Sequence, residues 1–302
     1  MAATPADIPA RLRVGVVGTG RVGAVLGAAL SRAGHRVVAA YGVSDASRSR
    51  AAALLPGVPL RSPAQVLEVA DLVLLTVPDD PLPGLVEGLV ATDAVRPGQL
   101  LVHTSGRFGA AILDPATRAG ALPLALHPAM TFTGTAVDLE RLPGATFGVT
   151  APGPLWPVAE ALVVEMGSEP VRVAEEARGL YHAALAHGAN HLVTLVTDSL
   201  DLLRAAGVDD PAASLAPLLS AALDNSLRSG DAALTGPVAR GDAGTVAAHI
   251  EEIARVAPEA VGIYVALARR TAARALAAGR LRATDAEPLL DALAVRADEA
   301  RT

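Results

Sequence analysis

Short apolar runs recur along the first half of the chain, and longer segments with apolar positions three or four residues apart follow them. The runs lie at residues 14–17, 36–40, 71–77, 100–103 and 122–127. They are rich in valine and leucine and only a few residues long, the form of strands buried on both faces. Their alternation with helical patterns predicts a parallel sheet wound with helices on both sides, an α/β fold. Two further strand-like runs, 145–150 and 170–173, flank a helix over 156–166 and close this first domain, 12–174. After Ala174 the pattern changes to alanine- and leucine-rich segments of helical period over 175–206, 211–227, 244–256, 257–278 and 284–301. The second domain, 175–302, is therefore expected to be all-helical, with Gly207, Pro211, Gly230 and Gly279 at its caps. Residues 1–10 show no periodicity.

Composition narrows the possible chemistry. Of 302 residues, 51% are hydrophobic and 19% charged, enough apolar material for two packed domains and too little charge for a disordered chain. All 25 basic residues are arginine; lysine does not occur, so amine chemistry is excluded. A net charge of −6 argues against nucleic acid as a partner. The absence of cysteine removes disulfides, thiolate nucleophiles and cysteine-bound zinc, and suits a cytoplasmic protein. The apolar stretch 14–30 contains Arg21 and five glycines, unlike a signal peptide, and the stretch 180–196 is broken by His182, His187, Asn190 and His191. No membrane partner is expected.

Gly18-Thr19-Gly20-Arg21-Val22-Gly23 follows the first strand and opens a helix that stops at Gly34. In that context the first glycine permits a tight turn, the second lets backbone approach a pyrophosphate, and the third lets helix and strand pack closely. The helix N-terminus adds favourable N–H groups and dipole. The six residues are thus expected to bind a dinucleotide. An NAD-selective domain places an acid at the tip of the second strand, whereas this tip reads Tyr41-Gly42-Val43-Ser44, followed by Asp45, Ser47, Arg48 and Arg50. Ser44, Ser47, Arg48 and Arg50 suit a 2′-phosphate, so NADP is expected, NADPH ahead of NADH, although Arg48 and Arg50 also fit an ordinary solvated helix face.

Ligands of open α/β sheets lie beyond the carboxyl ends of the strands. One run ends in Val77-Pro78-Asp79-Asp80, where Val77 and Pro78 flank the cofactor and the two acids are expected to cap the next helix. Another ends in His103-Thr104-Ser105-Gly106, whose hydroxyl and backbone N–H groups suit a substrate carboxylate. A third ends in His127-Pro128-Ala129-Met130. His103 and His127 fit either a site or a satisfied core position. Taken as one helix and reckoned from His182 as zero, 175–206 places Thr197, Asn190, Thr194, His187, Asp198 and His191 within an arc of roughly 120°. Such a face lines a cleft or meets solvent. His187 and His191 stand at i and i+4 but lack a third ligand, so no metal is expected. In the loop 234–242, Arg240 is either a clamp for an anionic substrate or part of a plain turn.

These segments together, with His-Thr-Ser-Gly at 103–106, His-Pro-Ala-Met-Thr-Phe at 127–132, Tyr-His-Ala-Ala at 181–184 and Leu-Thr-Gly-Pro-Val-Ala-Arg-Gly-Asp at 234–242, resemble the Rossmann-like oxidoreductases that carry an uncharacterised helical C-terminal domain. That group is similar in architecture to β-hydroxyacid dehydrogenases, ketopantoate reductases, pyrroline-carboxylate reductases and prephenate dehydrogenases. The resemblance places His187 and Asn190 where the larger group often carries lysine and asparagine, and sets Ser105, Gly106 and Gly109 against its carboxylate-holding segment. It implies an NADPH-dependent reductase of a small anionic 2-oxo or imino acid, ketopantoate-like; separately, the helical half presents more Ala/Leu surface than one Rossmann domain can cover, which predicts a homodimer. On this reading His187 donates the proton, Asn190 orients the carbonyl, Ser105 and His127 are further catalytic candidates, and Gly106, His191, Thr194 and Arg240 meet the substrate. The rival readings are a non-catalytic NADP-binding sensor or partner-binding module, and a prephenate-type dehydrogenase suggested by His127-Pro128.

Overall fold

The structure, a computed structural model, describes residues 11–294. The tail at 1–10, and the part of the 284–301 helix beyond Ala294, lie outside the described residues. The chain divides into two compact units after Gly188.

In the first unit, β1 (Arg13–Val17), α1 (Arg21–Arg32), β2 (Arg36–Tyr41), α2 (Asp45–Leu54), α3 (Pro63–Val69), β3 (Leu72–Leu75), α4 (Leu82–Ala91) and β4 (Leu100–His103) alternate as the sequence pattern predicts. They continue into α5 (Asp114–Arg118), β5 (Leu122–Pro128), α6 (Ala136–Arg141), β6 (Thr146–Thr150), α7 (Trp156–Glu165), β7 (Glu169–Arg172) and α8 (Arg178–Leu185). Seven strands form one sheet in the order β2-β1-β3-β4-β5-β6-β7. All pairs are parallel except β5–β6, where Leu126 faces Val149 and His127 faces Gly148 in antiparallel register. The order reverses between β1 and β3, and the crevice there is where such sheets take ligands.

The two-residue period of the strands builds both faces. Val14, Val16, Leu72, Leu74, Leu100 and Val102 point to one side, with Leu26 and Leu30 of α1 and Leu162 of α7. Val73, Leu75 and Leu101 point to the other, with Val66 of α3 and Val86 and Leu89 of α4. Each such side chain contributes about 1.5–3 kcal/mol on burial. Gly15 lacks a side chain for the same reason: a Cβ there would lie 2.4 Å from Val66 Cγ1.

The sequence pattern set the domain boundary at Ala174 and read 175–206 as one helix. The structure instead ends the first unit after Gly188, because α8 belongs to it through Arg178, a buried side chain bonded to the sheet. The expected single helix is also interrupted. A π-helical turn, Ala186–Asn190, separates α8 from α9 (His191–Ala205). Its five residues include Gly188, a weak helix former, and the wide turn shifts the angular phase of everything after it. The 120° arc reckoned from a continuous helix therefore does not carry from His182 across to Thr194.

The second unit continues with α10 (Pro211–Ser229), α11 (Gly236–Arg240), α12 (Ala243–Val256), α13 (Pro258–Ala277) and α14 (Ala283–Ala294). Val261, Val265, Ala268, Ala272 and Ala275 form the buried stripe of α13, at alternating spacings of four and three. They meet Val246 and Ile250 of α12 and Leu289 and Leu293 of α14. The segment 234–242 is not a plain loop: α11 fills it, Gly241 ends that helix at φ +76°, and Asp242 caps α12 by accepting from Thr245 N–H. Among the described residues no helix is long and apolar enough to cross a membrane.

Candidate functional site

Two features of the first unit face the carboxyl ends of the strands. The glycine-rich turn is the first. Gly18 adopts φ +106°, and its N–H and that of Thr19 both donate to Tyr41 O at 2.9 Å, tying the turn to the end of β2. Thr76 Oγ1 donates to Gly18 O at 2.5 Å from the end of β3, which brings Val77 and Pro78 beside the turn. A Cβ on Gly23 would lie 2.1 Å from both Gly18 O and Thr76 Oγ1, so the third glycine is required by helix–strand contact. Gly20 is different. It is the N-cap of α1, its φ is −69°, no side chain caps the helix, and a Cβ on it would meet nothing within 4 Å. An uncapped helix start facing open space, with Arg21 exposed beside it, fits a dinucleotide pyrophosphate.

At the tip of β2, Ser44 caps α2 by accepting from Ser47 N–H at 3.1 Å. Ser47 is buried, with its hydroxyl donating to Ser44 O and its carbonyl accepting from Thr19 Oγ1. Ser47 therefore points inward rather than toward a 2′-phosphate. Arg48 is exposed at the tip, bonded to Val43 O and 3.8 Å from Asp45. Arg50 packs against Gly134 in the segment after β5, which is moored by buried Asp138 through Thr133 N–H, Gly134 N–H and the Thr133 hydroxyl.

The second feature gathers β4, β5, β6 and α8. His103 is fully buried, its Nε2 2.8 Å from Gly109 O and its Nδ1 accepting from Ser105 N–H, which makes it a neutral, satisfied core histidine. Burial above all, with the Arg178 charge, lowers its pKa to about 4, against the opposing pull of the Gly109 carbonyl and Asp79. Ser105 was expected to present an exposed hydroxyl beside free N–H groups. It is instead 6% exposed, and its Oγ accepts from the backbone N–H of Arg107 and Phe108 at 3.2 and 3.1 Å. The hydroxyl thus closes its own turn, the local habit of serine. Asp79 and Asp80 do not cap α4 either, for its N-cap is Pro81 and no side chain bonds there.

His127 is the other histidine of this region. Its Nδ1 lies 3.0 Å from Tyr181 Oη, and its ring meets those of Tyr181 and His182 edge-on at 5.5 and 5.6 Å. Gly106 and Gly148 make room for the group: a Cβ on Gly106 would sit 2.5 Å from His182 Cδ2 and 2.9 Å from His127 Nε2, and one on Gly148 2.5 Å from Tyr181 Oη. Burial, then His182, Arg178 and His103, lower the His127 pKa to about 4, with Asp79 opposing. Burial raises the Tyr181 phenol above its ordinary value, and Arg178 and the Gly148 backbone partly offset it.

Of the remaining expected site residues, His187 and Asn190 lie on the π-turn, and His191 and Thr194 begin α9, all exposed. Arg240 is exposed in the last turn of α11. Farther along α9, Thr197 donates to Val193 O at 2.9 Å, and Asp198 lines a cavity of the second unit. Among the described residues no three metal-ligating side chains are grouped. The sequence reading missed Tyr181 and Arg178. A usable signal was Gly148, an isolated glycine inside a strand, which marks a close approach of another group.

Comparison with known proteins extends this geometry. A Rossmann-like domain model matches residues 2–128, and a domain of unknown function, DUF2520, matches residues 145–271. No curated protein matches the sequence. Among solved structures, a proposed NADP oxidoreductase from Bacteroides fragilis is 21% identical, with a TM-score of 0.72 over 87% of this chain and 98% of its own. An imine reductase from Myxococcus stipitatus in complex with NADP+ is 18% identical, with a TM-score of 0.61 over 89% of this chain and 95% of its own. An imine reductase from Streptomyces aurantiacus is 20% identical, with a TM-score of 0.59 over 95% of both chains. The chain thus carries a match to a Rossmann-like domain followed by a match to a DUF2520 domain.

Proposed function

We propose that the protein is an NADPH-dependent reductase of a small carbonyl or imino compound. The observation that carries this reading is the uncapped start of α1 at Gly20, open to a ligand and framed by two glycines that the fold requires. The fold shared with imine reductases, one of them holding NADP+, supports it. When bound, NADPH supplies the hydride. The chain's own part is to bind, orient and protonate. Gly18, Thr19, Gly20, Arg21, Val22 and Gly23 hold the pyrophosphate, and Val77 and Pro78 flank it. Ser44 and Arg48, at and just beyond a strand end 41–44 that carries no acid, favour a 2′-phosphate and hence NADPH over NADH, with Asp45 as the competing partner of Arg48.

Two sets of groups are candidates for the proton: His187 beside Asn190, from sequence spacing, and the His127–Tyr181 pair, from geometry. A 2-oxo or imino acid of ketopantoate size is the favoured substrate, with Gly106 as a contact in the first unit and the cytoplasm as its compartment. Consumption of NADPH and NADH across 2-oxo acids and cyclic imines tests the reading. Turnover of at least one compound, faster with NADPH, is expected. Tight NADPH binding without turnover of any would leave a binding module.

We also propose a homodimer. Among the described residues α9 buries no side chain and α10 only Pro211, yet Val193, Leu218, Leu223 and Leu227 stand 54–80% exposed. Helices of this length draw their stability from a covered apolar face. A neighbouring cavity of about 400 Å³, lined by Leu195, Leu202, Ile253 and Tyr264, extends the apolar surface within the second unit. A second copy supplies the cover. Light scattering at micromolar concentration should give twice the chain mass; a monomer would contradict the proposal.

A further inference from the structure

The chain has no lysine, yet among the described residues it buries an arginine almost completely. Arg178 is 1% exposed, and its donors go to neutral oxygens: Nε to Thr150 Oγ1 at 2.9 Å, one terminal nitrogen to Ala125 O at 2.9 Å and Gly148 O at 3.1 Å, the other to Ser105 O at 3.4 Å. A buried guanidinium whose hydrogen-bond partners are all neutral, with the Glu175 carboxylate acting on it only through space, is poorly accounted for by packing alone, since an apolar side chain avoids the loss of hydration. Its position suggests a second role. One turn along α8, the Tyr181 ring centroid lies 5.8 Å from Arg178 Cζ, and Tyr181 Oη lies between His127 Nδ1 and the Gly148 backbone.

We propose that Tyr181 is the catalytic acid of the reduction, with His127 and Arg178 as its positioning residues; the assignment rests on the reductase reading above. His127 in its Nδ1–H form donates to Tyr181 Oη, and the phenol proton is left to point at a substrate. As the substrate carbon gains hydride, the C=O or C=N electron pair passes to the heteroatom. The Tyr181 Oη–H bond breaks, a heteroatom–H bond forms, and the tyrosinate is held by His127 N–H beside the Arg178 charge until solvent returns a proton. The charged and titratable groups around His127 are Arg178, Tyr181 and His182 on α8, His103 on β4 and Asp79 after β3. Burial keeps His127 neutral and Tyr181 protonated through the physiological range, the loaded state this step needs.

The experiment compares Tyr181→Phe, His127→Asn, His127→Ala and His187→Gln with wild type, using 1-pyrroline and simple 2-oxo acids as probes. Tyr181→Phe should lower kcat by at least about a hundredfold while NADPH affinity, read by fluorescence, stays within twofold. His127→Asn, which keeps a donor near Nδ1, should retain more turnover than His127→Ala. The wild-type kcat should stay level to about pH 9, because a phenol acid is lost only at high pH, whereas a histidine donor gives turnover that falls from near neutrality upward. Without any probe, the His127 Nδ1 resonance in nitrogen NMR should move in Tyr181→Phe. Near-normal turnover of Tyr181→Phe, with loss in His187→Gln, overturns this assignment and leaves the reductase reading standing. Failure of wild type on every carbonyl and imine overturns both.

Discussion

Gly20→Asp is expected to fold as well as wild type and to lose NADPH by at least a hundredfold. The two outcomes part because Gly20 is the only one of the three fingerprint glycines that the fold itself does not need. Its φ of −69° suits any residue, and a side chain there meets nothing within 4 Å. An aspartate at this N-cap accepts from the free N–H groups of α1 and faces its positive end, worth up to about 1 kcal/mol in stability. The same carboxylate takes the donors a pyrophosphate would use and repels it, and a hundredfold loss is about 2.7 kcal/mol. Gly23→Ala should behave in the opposite manner. Its Cβ would fall 2.1 Å from Gly18 O and Thr76 Oγ1, so overpacking costs about 1–3 kcal/mol before any ligand is considered. Urea unfolding with fluorescence titration of each variant separates the cases. A Gly20→Asp protein that keeps full NADPH affinity would show that the α1 N-terminus is not the binding site.

Acid should weaken the fold through His103. Its pKa falls from the ordinary 6.5 to about 4 on folding, so between those values the unfolded chain binds more protons than the folded one. The stabilisation is complete above pH 6.5, declines as pH falls toward 4, and does not change further below that. At 1.36 kcal/mol per unit the loss is about 3 kcal/mol. His127, whose pKa is lowered to about 4 as well, adds to the same window. Urea unfolding at pH 7 and pH 4.5 measures the slope. His103→Asn should lower stability at pH 7, where the bonds to Gly109 O and Ser105 N–H are disturbed, and flatten the change with pH. A variant with the wild-type slope would place the acid sensitivity elsewhere.

The strands and the dinucleotide turn were legible because each rests on local rules: apolar runs such as 71–77 must be buried on both faces, and Gly18 and Gly23 stand where φ and contact demand glycine. The helices of the second unit were legible from their period, as in the alternating four and three of α13. Other features depend on contacts between distant residues, which no local pattern carries. The direction of β6 against β5 is one, since an apolar run has no sense of direction. The inward turn of Ser105 is another, because the same serine that suits a ligand also suits its own backbone two and three residues on. The π-turn at Ala186–Asn190 defeated the angular reckoning along 175–206, as one widened turn rotates all that follows. Tyr181 and Arg178 lie on a helix whose period reveals its faces but not what each face meets.

Transfer of label from the cofactor is the most direct test of the reductase reading. NADPH carrying deuterium at the transferable position of its nicotinamide would be incubated with the wild-type protein and the 2-oxo acid and cyclic imine panel, and products weighed by mass spectrometry. The account predicts a reduced product one mass unit heavier, with deuterium on the former carbonyl or imine carbon. NADPH bound at the Gly18–Gly23 turn with no labelled product from any compound would contradict it.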